Sequence, residues 1–486
     1  SAEASYVACK FALCSPRHRQ IAEVQGLTAF ANALMSTAPV AVCENKARSV
    51  VTVPDAQWTT RNGQDYFLTH IHCADGNPFK EWMAYLGFNL WVANLSAVGG
   101  DGPNPVPNLV ASYISLIRSN ILGSLETLLE VLVFNSAVGR YLDLFDNHYV
   151  NGVINGNENW ARELLELFSV RPSNPLSGDS NYTENDVVRC FSRSFSGFVL
   201  SPDGTTSWDS SKWDPNMKTC FDGKPFQETA VFNYESLLPK LLRTHPETAR
   251  SWVMQMYSFM IGKQPTMAMV DELAADLVNN NFDTRQVLTK IIRSNDTFSP
   301  SAQNRYVQNP LEVLMRLFRA FNLPLSNQAG ADMYTLILDI LESSGQPLFQ
   351  PPTVFGFDER KNRGAGFSIG EIWAPMGRQL EFMRGLTRIL DTLEAQGFAW
   401  TSIMPSQNAS PRQLIDHCAS KLGVQLSEPQ KIILENYLTS ILPNGSSTPV
   451  NIGWNPAAPN FQAQLKLKLP GLLYSLLTGI NQIRTM

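Results

Sequence analysis

Helical periodicity constrains this chain more than any other feature of its sequence. Apolar residues recur at three-to-four spacing in Ile114–Phe134, Asn157–Val170, Glu184–Phe198, Tyr234–Leu242, Glu247–Ile261, Val270–Asn279, Thr284–Arg293, Pro310–Phe321, Gly377–Gln396, Arg412–Leu422 and Glu428–Leu442. Strand signals are few. Arg48 to Val53 is the best strand candidate, and nothing alternates strand with helix as a nucleotide-binding fold does. The pattern predicts an all-α fold, mainly helical, with long irregular loops and at most a few short strands. No repeat recurs at a fixed period, so residues 1–486 read as a single large helical domain, with Thr401 to Pro411 the best candidate for an internal boundary. Long Gly/Pro/Asn/Ser stretches at Gly99–Asn108, Arg171–Asn181, Ser201–Phe226, Ser343–Pro375 and Pro443–Pro459 are expected to carry function or line an interface. Thr183-Glu184-Asn185-Asp186 has the spacing of a helix cap closed by a carboxylate.

Charge narrows the partners. Only 17% of the 486 residues are charged and the net charge is -5, so no basic surplus exists to neutralise a nucleic-acid backbone. No run of about 18 apolar residues is present, which argues against a transmembrane segment. The sequence opens SAEAS without a basic or apolar leader, so the expectation is a secreted or extracytoplasmic protein whose targeting peptide has been removed. Seven cysteines occur without CxxC or zinc spacing, so neither a metal nor another cofactor is expected. In an exported chain Cys9/Cys14, Cys43/Cys73 and Cys190/Cys220 are disulfide candidates, leaving Cys418 odd; seven buried thiols is the alternative. Asn94, Asn181, Asn295, Asn408 and Asn444 stand in glycosylation sequons.

The most specific segment is NENWARELLELFSV at Asn157–Val170. On a regular helix Glu158, Arg162 and Glu166 form one stripe, and Trp160, Leu164, Leu167 and Phe168 the opposite face. The stripe reads either as surface ion pairs or as a carboxylate cluster held by Arg162. This segment resembles the signature helix of the domain-of-unknown-function 1800 family. YTENDVVRCFSRSFSGF at Tyr182–Phe198, the stretch from His245 to Phe298, Asn309–Leu323, GQPLFQPPTVFGF within Gly345–Trp373, and the ends Ala4–Leu27 and Leu472–Arg484 are also similar to it. The resemblance implies a helical, commonly exported protein of a family without an established activity. It also implies losses. Gly87-Phe88-Asn89-Leu90 stands where relatives carry Trp-His-Asn-His, Phe168 where they carry His, and Trp213 begins the segment that ends in Asp214 and Lys218 where they carry His-Asp-x-Gly-x-Lys. If those histidines form a site in relatives, large apolar residues fill it here.

Other chemistry has thin support. His70 and His72 beside Cys73 lack a third ligand in register, and no P-loop, GxGxxG or Gly-x-Ser-x-Gly occurs. Three functions remain. The first is a non-catalytic structural or assembly subunit of an exported complex, with protein partners or self-assembly; low charge and 24 Arg among 38 basic residues fit a surface buried against partners. The second is an extracellular hydrolase acting on a polymer through Glu158, Arg162, Glu163, Glu166, Asp214 and Lys218. The third is a glycan- or protein-binding module using Trp208, Trp213, Phe349, Phe355, Phe357 and Trp373, and it requires an exposed aromatic strip.

Overall fold

Several helices of this protein start where a polar cap precedes a proline. The computed structural model describes residues 2–101, 105–174, 177–299, 308–328, 331–357, 376–443 and 448–478. In it Asn77 Oδ1 accepts from the Phe79 amide at 3.1 Å, Asn309 Oδ1 from Glu312 at 2.9 Å and Ser410 Oγ from Gln413 at 3.2 Å, each ahead of a proline at the first helical position. Proline's missing N–H is no loss there and its φ is already helical.

The helices in order are α1 (Ala2–Ala12), α2 (Pro16–Leu34), α3 (Ala41–Val50), α4 (Thr60–His72), α5 (Pro78–Leu90), α6 (Leu109–Asn120), α7 (Leu125–Val133), α8 (Ser136–Tyr141) and α9 (Asn159–Glu163). The chain continues through α10 (Tyr234–Thr244), α11 (Pro246–Ile261), α12 (Met267–Asn279), α13 (Thr284–Ile292), α14 (Pro310–Ala320) and α15 (Met333–Ser343). It ends with α16 (Met376–Ala395), α17 (Pro411–Leu422), α18 (Glu428–Thr439) and α19 (Phe461–Thr478). Helix accounts for 62% and strand for 6%, so the fold is mainly helical. The strands form two-stranded antiparallel hairpins: β1 (His148–Val150) with β2 (Val153–Asn155), β3 (Phe198–Leu200) with β4 (Thr206–Trp208), β5 (Lys218–Cys220) with β6 (Glu228–Ala230), β7 (Asn327–Gln328) with β8 (Ala331–Asp332), and β9 (Ser440–Ile441) with β10 (Val450–Asn451).

At the centre lies α5. All its residues but Lys80 are buried, and α1, α2, α4 and α6 pack around it. Gly87 sets the α5–α6 distance, since a Cβ there would sit 2.6 Å from Ile117 Cγ2. One apolar cluster runs from Val7 to Leu477, and it includes Ile403 and Ala409 of the stretch 401–411.

Two sequence expectations are corrected. Ile114–Phe134 is two helices, because Gly123 ends one and Ser124 caps the next, its Oγ accepting from the Thr127 amide at 3.4 Å. Arg48–Val53 is not a strand. Arg48 to Val50 close α3, where Arg48 Nε reaches Glu44 at 2.8 Å and the Val51 amide donates to Ala47.

Three disulfides are formed, Cys9–Cys14, Cys43–Cys73 and Cys190–Cys220, while Cys418 is a buried thiol pushed up to about 12 by burial. The latter two bridges each span 30 residues, a closure that stabilises by about 3–4 kcal/mol. Cys43–Cys73 ties α3 to the end of α4. Cys190–Cys220 ties the segment after Tyr182 to β5. Among the described residues no helix is long and apolar enough to cross a membrane.

Burial also shapes the histidines. His18, His70 and His72 are pushed down to about 4, first by desolvation and then by neighbouring cations. A base whose folded value lies below its unfolded value of 6.5 binds its proton more readily unfolded, so stability is full above 6.5 and is lost as pH falls toward 4. The urea midpoint is therefore expected to fall steadily between pH 6.5 and 4, with His70→Gln removing part of the slope; a flat profile would contradict it.

Candidate functional site

Asn157 to Val170 folds as the sequence face demands at first and then departs from it. Trp160, Leu164, Leu167 and Phe168 are buried, and Glu158, Arg162 and Glu166 are half-buried. After Glu163 the helix widens into a π turn, Leu164–Phe168, and a second π segment, Asp186–Phe191, packs against α9. The extra residue in the π turn rotates Glu166 off the Glu158–Arg162 stripe. Arg162 therefore pairs elsewhere. Its guanidinium meets Glu184 in a bidentate fork at 2.9 and 2.6 Å, while Glu158 stays 3.8 Å away. Hydrogen bonding to Arg162 holds the Glu184 carboxyl below its usual value. Glu163 is buried, and its charge adds to burial in raising the Tyr141 phenol. Burial first, then Glu166, also raises Tyr182.

The Thr183–Asp186 cap forms as the spacing predicts. Asp186 Oδ2 accepts from the Thr183 amide at 3.0 Å and Thr183 Oγ1 accepts from the Asp186 amide at 3.2 Å. The other oxygen of Asp186 receives the Asp222 amide at 2.9 Å, joining this cap to the Cys190–Cys220 region.

Asp214 and Lys218 make a separate unit. Asp214 is buried, paired with Arg193, and accepts from the Asn216 amide at 2.9 Å and its Nδ2 at 2.7 Å. Burial alone would raise this carboxyl, but Arg193 and Asn216 hold it below its usual value. Lys218 Nζ donates to the Asp214 and Asn216 carbonyls at 2.6 and 2.9 Å, 5.0 Å from the Trp213 ring centre, and burial pushes its ammonium down to about 8. The lysine thus pins the turn that carries the aspartate. No ion pair among the described residues joins this unit to Glu158, Glu163 or Glu166.

The loop aromatics are anchors for their own loops. Phe349 packs on Phe67 and Phe88 at 5.6 and 4.8 Å, Phe357 is buried, and Phe355 is half-buried. Trp208 donates to the Ser196 carbonyl at 3.0 Å and packs at a tilt on Trp213 and edge-on to Tyr234. The exposed aromatic strip is thus not formed by these side chains; Trp373 lies outside the described residues, as does Asn444. Asn181 is buried with Nδ2 donating to Val170 at 2.8 Å, and Asn94 donates to Pro351, which leaves Asn295 and Asn408 as exposed sequons among the described residues.

The positions where the resemblance places histidines are apolar here. Phe88 packs on Phe67, Tyr113 and Phe349, Leu90 is buried, Phe168 packs on Trp160 and Trp213 on Trp208. His70 instead pairs with Glu44 at 3.1 Å, His72 donates to Leu323 at 2.9 Å, and Cys73 is in its disulfide. Among the described residues no group of three or more His, Cys, Asp or Glu is placed to hold a metal ion.

One open feature adjoins the signature helix, and no local pattern marks it because three separate segments build it. A cavity of about 510 Å³ is lined by Arg140, Asp143, Asp146, His148, Leu200 and Lys212 among others, and Asn159 Nδ2 reaches Asp143 at 3.4 Å. His148 Nε2 donates to the Phe198 carbonyl at 3.1 Å. These groups suit a polar ligand.

A large helical scaffold, opened by a π-widened helix and held by buried ion pairs, is the class of protein these features define. The family model described as "Protein of unknown function (DUF1800)" matches residues 55–462, and the chain belongs to that family. No curated protein and no solved structure matches it.

The two units predict different costs. Asp214→Ala strips Arg193 and Asn216 of their carboxylate partner and is expected to destabilise by about 3 kcal/mol. Arg162→Ala removes a half-exposed pair and should cost under about 1 kcal/mol. Urea midpoints followed by circular dichroism compare them, and equal losses would contradict this division.

Proposed function

We propose that this chain is a non-catalytic structural or assembly subunit of an exported complex, built on a family scaffold in which apolar residues stand at the histidine positions. The observation that carries the reading is an apolar surface near the end of the chain. Ile432 and Ile433 on α18, Ile441, Leu442, Val450 and Ile452 around β9–β10, and Leu467 on α19 are between 37% and 58% exposed. A two-stranded hairpin is marginal by itself, and its free backbone edges with outward aliphatic side chains suit strand addition. Ile441 opposes Val450 across the hairpin, and Lys468 Nζ holds the Ser440 carbonyl at 2.6 Å, so the presenting element is anchored to α19. Across a two-fold axis the same face of a second copy is its natural partner.

Three disulfides support an oxidising compartment. The pairing of Arg162 with Glu184 and of Asp214 with Arg193 supports structural rather than catalytic roles for the signature residues. The hydrolase reading keeps one observation in its favour, the cavity beside Asp143, Asp146 and His148, and it would act there rather than through the signature helix.

Light scattering over a concentration range tests the assembly reading. The wild type is expected as a multiple of the monomer, and Ile441→Asp with Val450→Asp is expected to return it to the monomer with an unchanged circular dichroism spectrum. A wild type that stays monomeric at about 100 μM would overturn self-assembly and direct attention to the cavity.

A further inference from the structure

A second cavity, of about 380 Å³, opens between the first turns of α2 and the last turns of α17. Its walls include Arg19, Gln20, Glu23, His417, Ser420 and Lys421. Neither Arg19 nor Lys421 has an ion-pair partner among the described residues, although the chain as a whole carries a net charge of -5. Arg19 holds only Ser420, its Nη1 on the carbonyl and its Nη2 on Oγ, both at 3.3 Å. Arg17, two residues earlier, donates to the Asp75 carbonyl at 3.0 Å.

Behind this wall the positive charge deepens. Arg319, beside the cavity-lining Ala320, is 5% exposed, and its Nη1 donates to the Ile71 and Cys73 carbonyls at 3.0 and 2.9 Å. Its Nε and Nη2 are buried without a hydrogen-bond partner. Burial, then the charges of Lys421 and Arg19, holds the His417 ring below its usual value, and burial with Arg319 and Arg17 does the same for His18. Cations thus outnumber anions here: Arg19 and Lys421 share the wall with one carboxylate, Glu23, which the charge of Arg19 helps to hold below its usual value. The backbone adds to the field. Ser15 Oγ shares a hydrogen bond with His18 Nδ1 at 3.0 Å, and the positive end of α2 has no side-chain cap.

We infer that this cavity binds a small molecule carrying a phosphate or sulfate group. Arg19 supplies a planar fork, Lys421 a point charge, and Ser420 and Gln20 neutral hydrogen bonds, a set matched to a tetrahedral oxyanion. The volume exceeds that of the anion alone, which leaves room for the group that bears it. Glu23 at the rim disfavours extended polyanions and suits one compact anionic group.

Titration calorimetry at low salt, with inorganic phosphate, sodium sulfate and glucose 6-phosphate as probes, tests the assignment. Saturable binding that weakens as salt is added is expected. Lys421→Gln and Arg19→Gln should each bind roughly ten- to a hundredfold more weakly while keeping the wild-type melting temperature. Lys240→Gln, on α10, which packs on α7 and α11, should bind as the wild type does. Tighter binding of the sugar phosphate identifies an ester ligand, and equal affinities identify the free anion; both support the site. No binding of any probe at about 10 mM, or binding unaffected by both cavity variants, would overturn it.

Discussion

A carboxylate in the first turn of an almost wholly buried helix dictates much of this fold. Glu81 on α5 is buried, and a lone buried charge would cost several kcal/mol. Arg118 on α6 meets it with two hydrogen bonds of 2.6 and 2.8 Å. Burial by itself would raise the Glu81 carboxyl, and the arginine more than offsets that, so the pair stays ionised. The network continues outward. Arg118 Nη1 reaches Tyr66 Oη on α4 at 3.3 Å, Tyr66 donates to Glu44 on α3 at 2.6 Å, and Glu44 takes His70 and Arg48. Four helices are thereby placed in one register by directional bonds that apolar packing alone would not specify.

The middle of the chain uses the same device at smaller scale. Short hairpins and π segments have weak intrinsic stability, so each is fixed by a polar strut: Asp214 with Arg193, Lys218 on two carbonyls, Asp186 on Thr183 and Asp222, and the Cys190–Cys220 bridge. Residues whose chemistry suggests catalysis in a sequence are here occupied in holding the chain. The family scaffold survives without imidazoles at the positions discussed because large apolar side chains fill them.

α11, α13, α14 and α17 lie within a residue or two of the predicted segments. α13 and α17 are half-exposed and write their period into the sequence, whereas α14 is wholly buried and α11 nearly so, and α14 is readable because Glu312, Arg316 and Arg319 mark one face at three-to-four spacing. α1 and α5 escaped that pattern since they are buried almost all round, and α2 is interrupted by Gly26 at φ +84. α3 carried a β-branched run at its end, yet Glu44–Arg48 pairing and the Cys43–Cys73 bridge keep that end helical. At the candidate site the cap at Thr183 was readable from four adjacent residues. The Arg162–Glu184 fork was not, because the π turn that redirects it has no residue signature. Both cavities combine segments far apart in sequence, and only the fold brings them together.

What the scaffold presents outward is the aliphatic surface of α18, β9–β10 and α19, which we propose another chain covers. Hydrogen exchange followed by mass spectrometry, on the protein at high and low concentration, reads out that cover. Amides in peptides spanning 428–452 are expected to become protected as concentration rises, while those of α5 are protected throughout. Equal, rapid exchange of 428–452 at every concentration, with α5 protected, would contradict it.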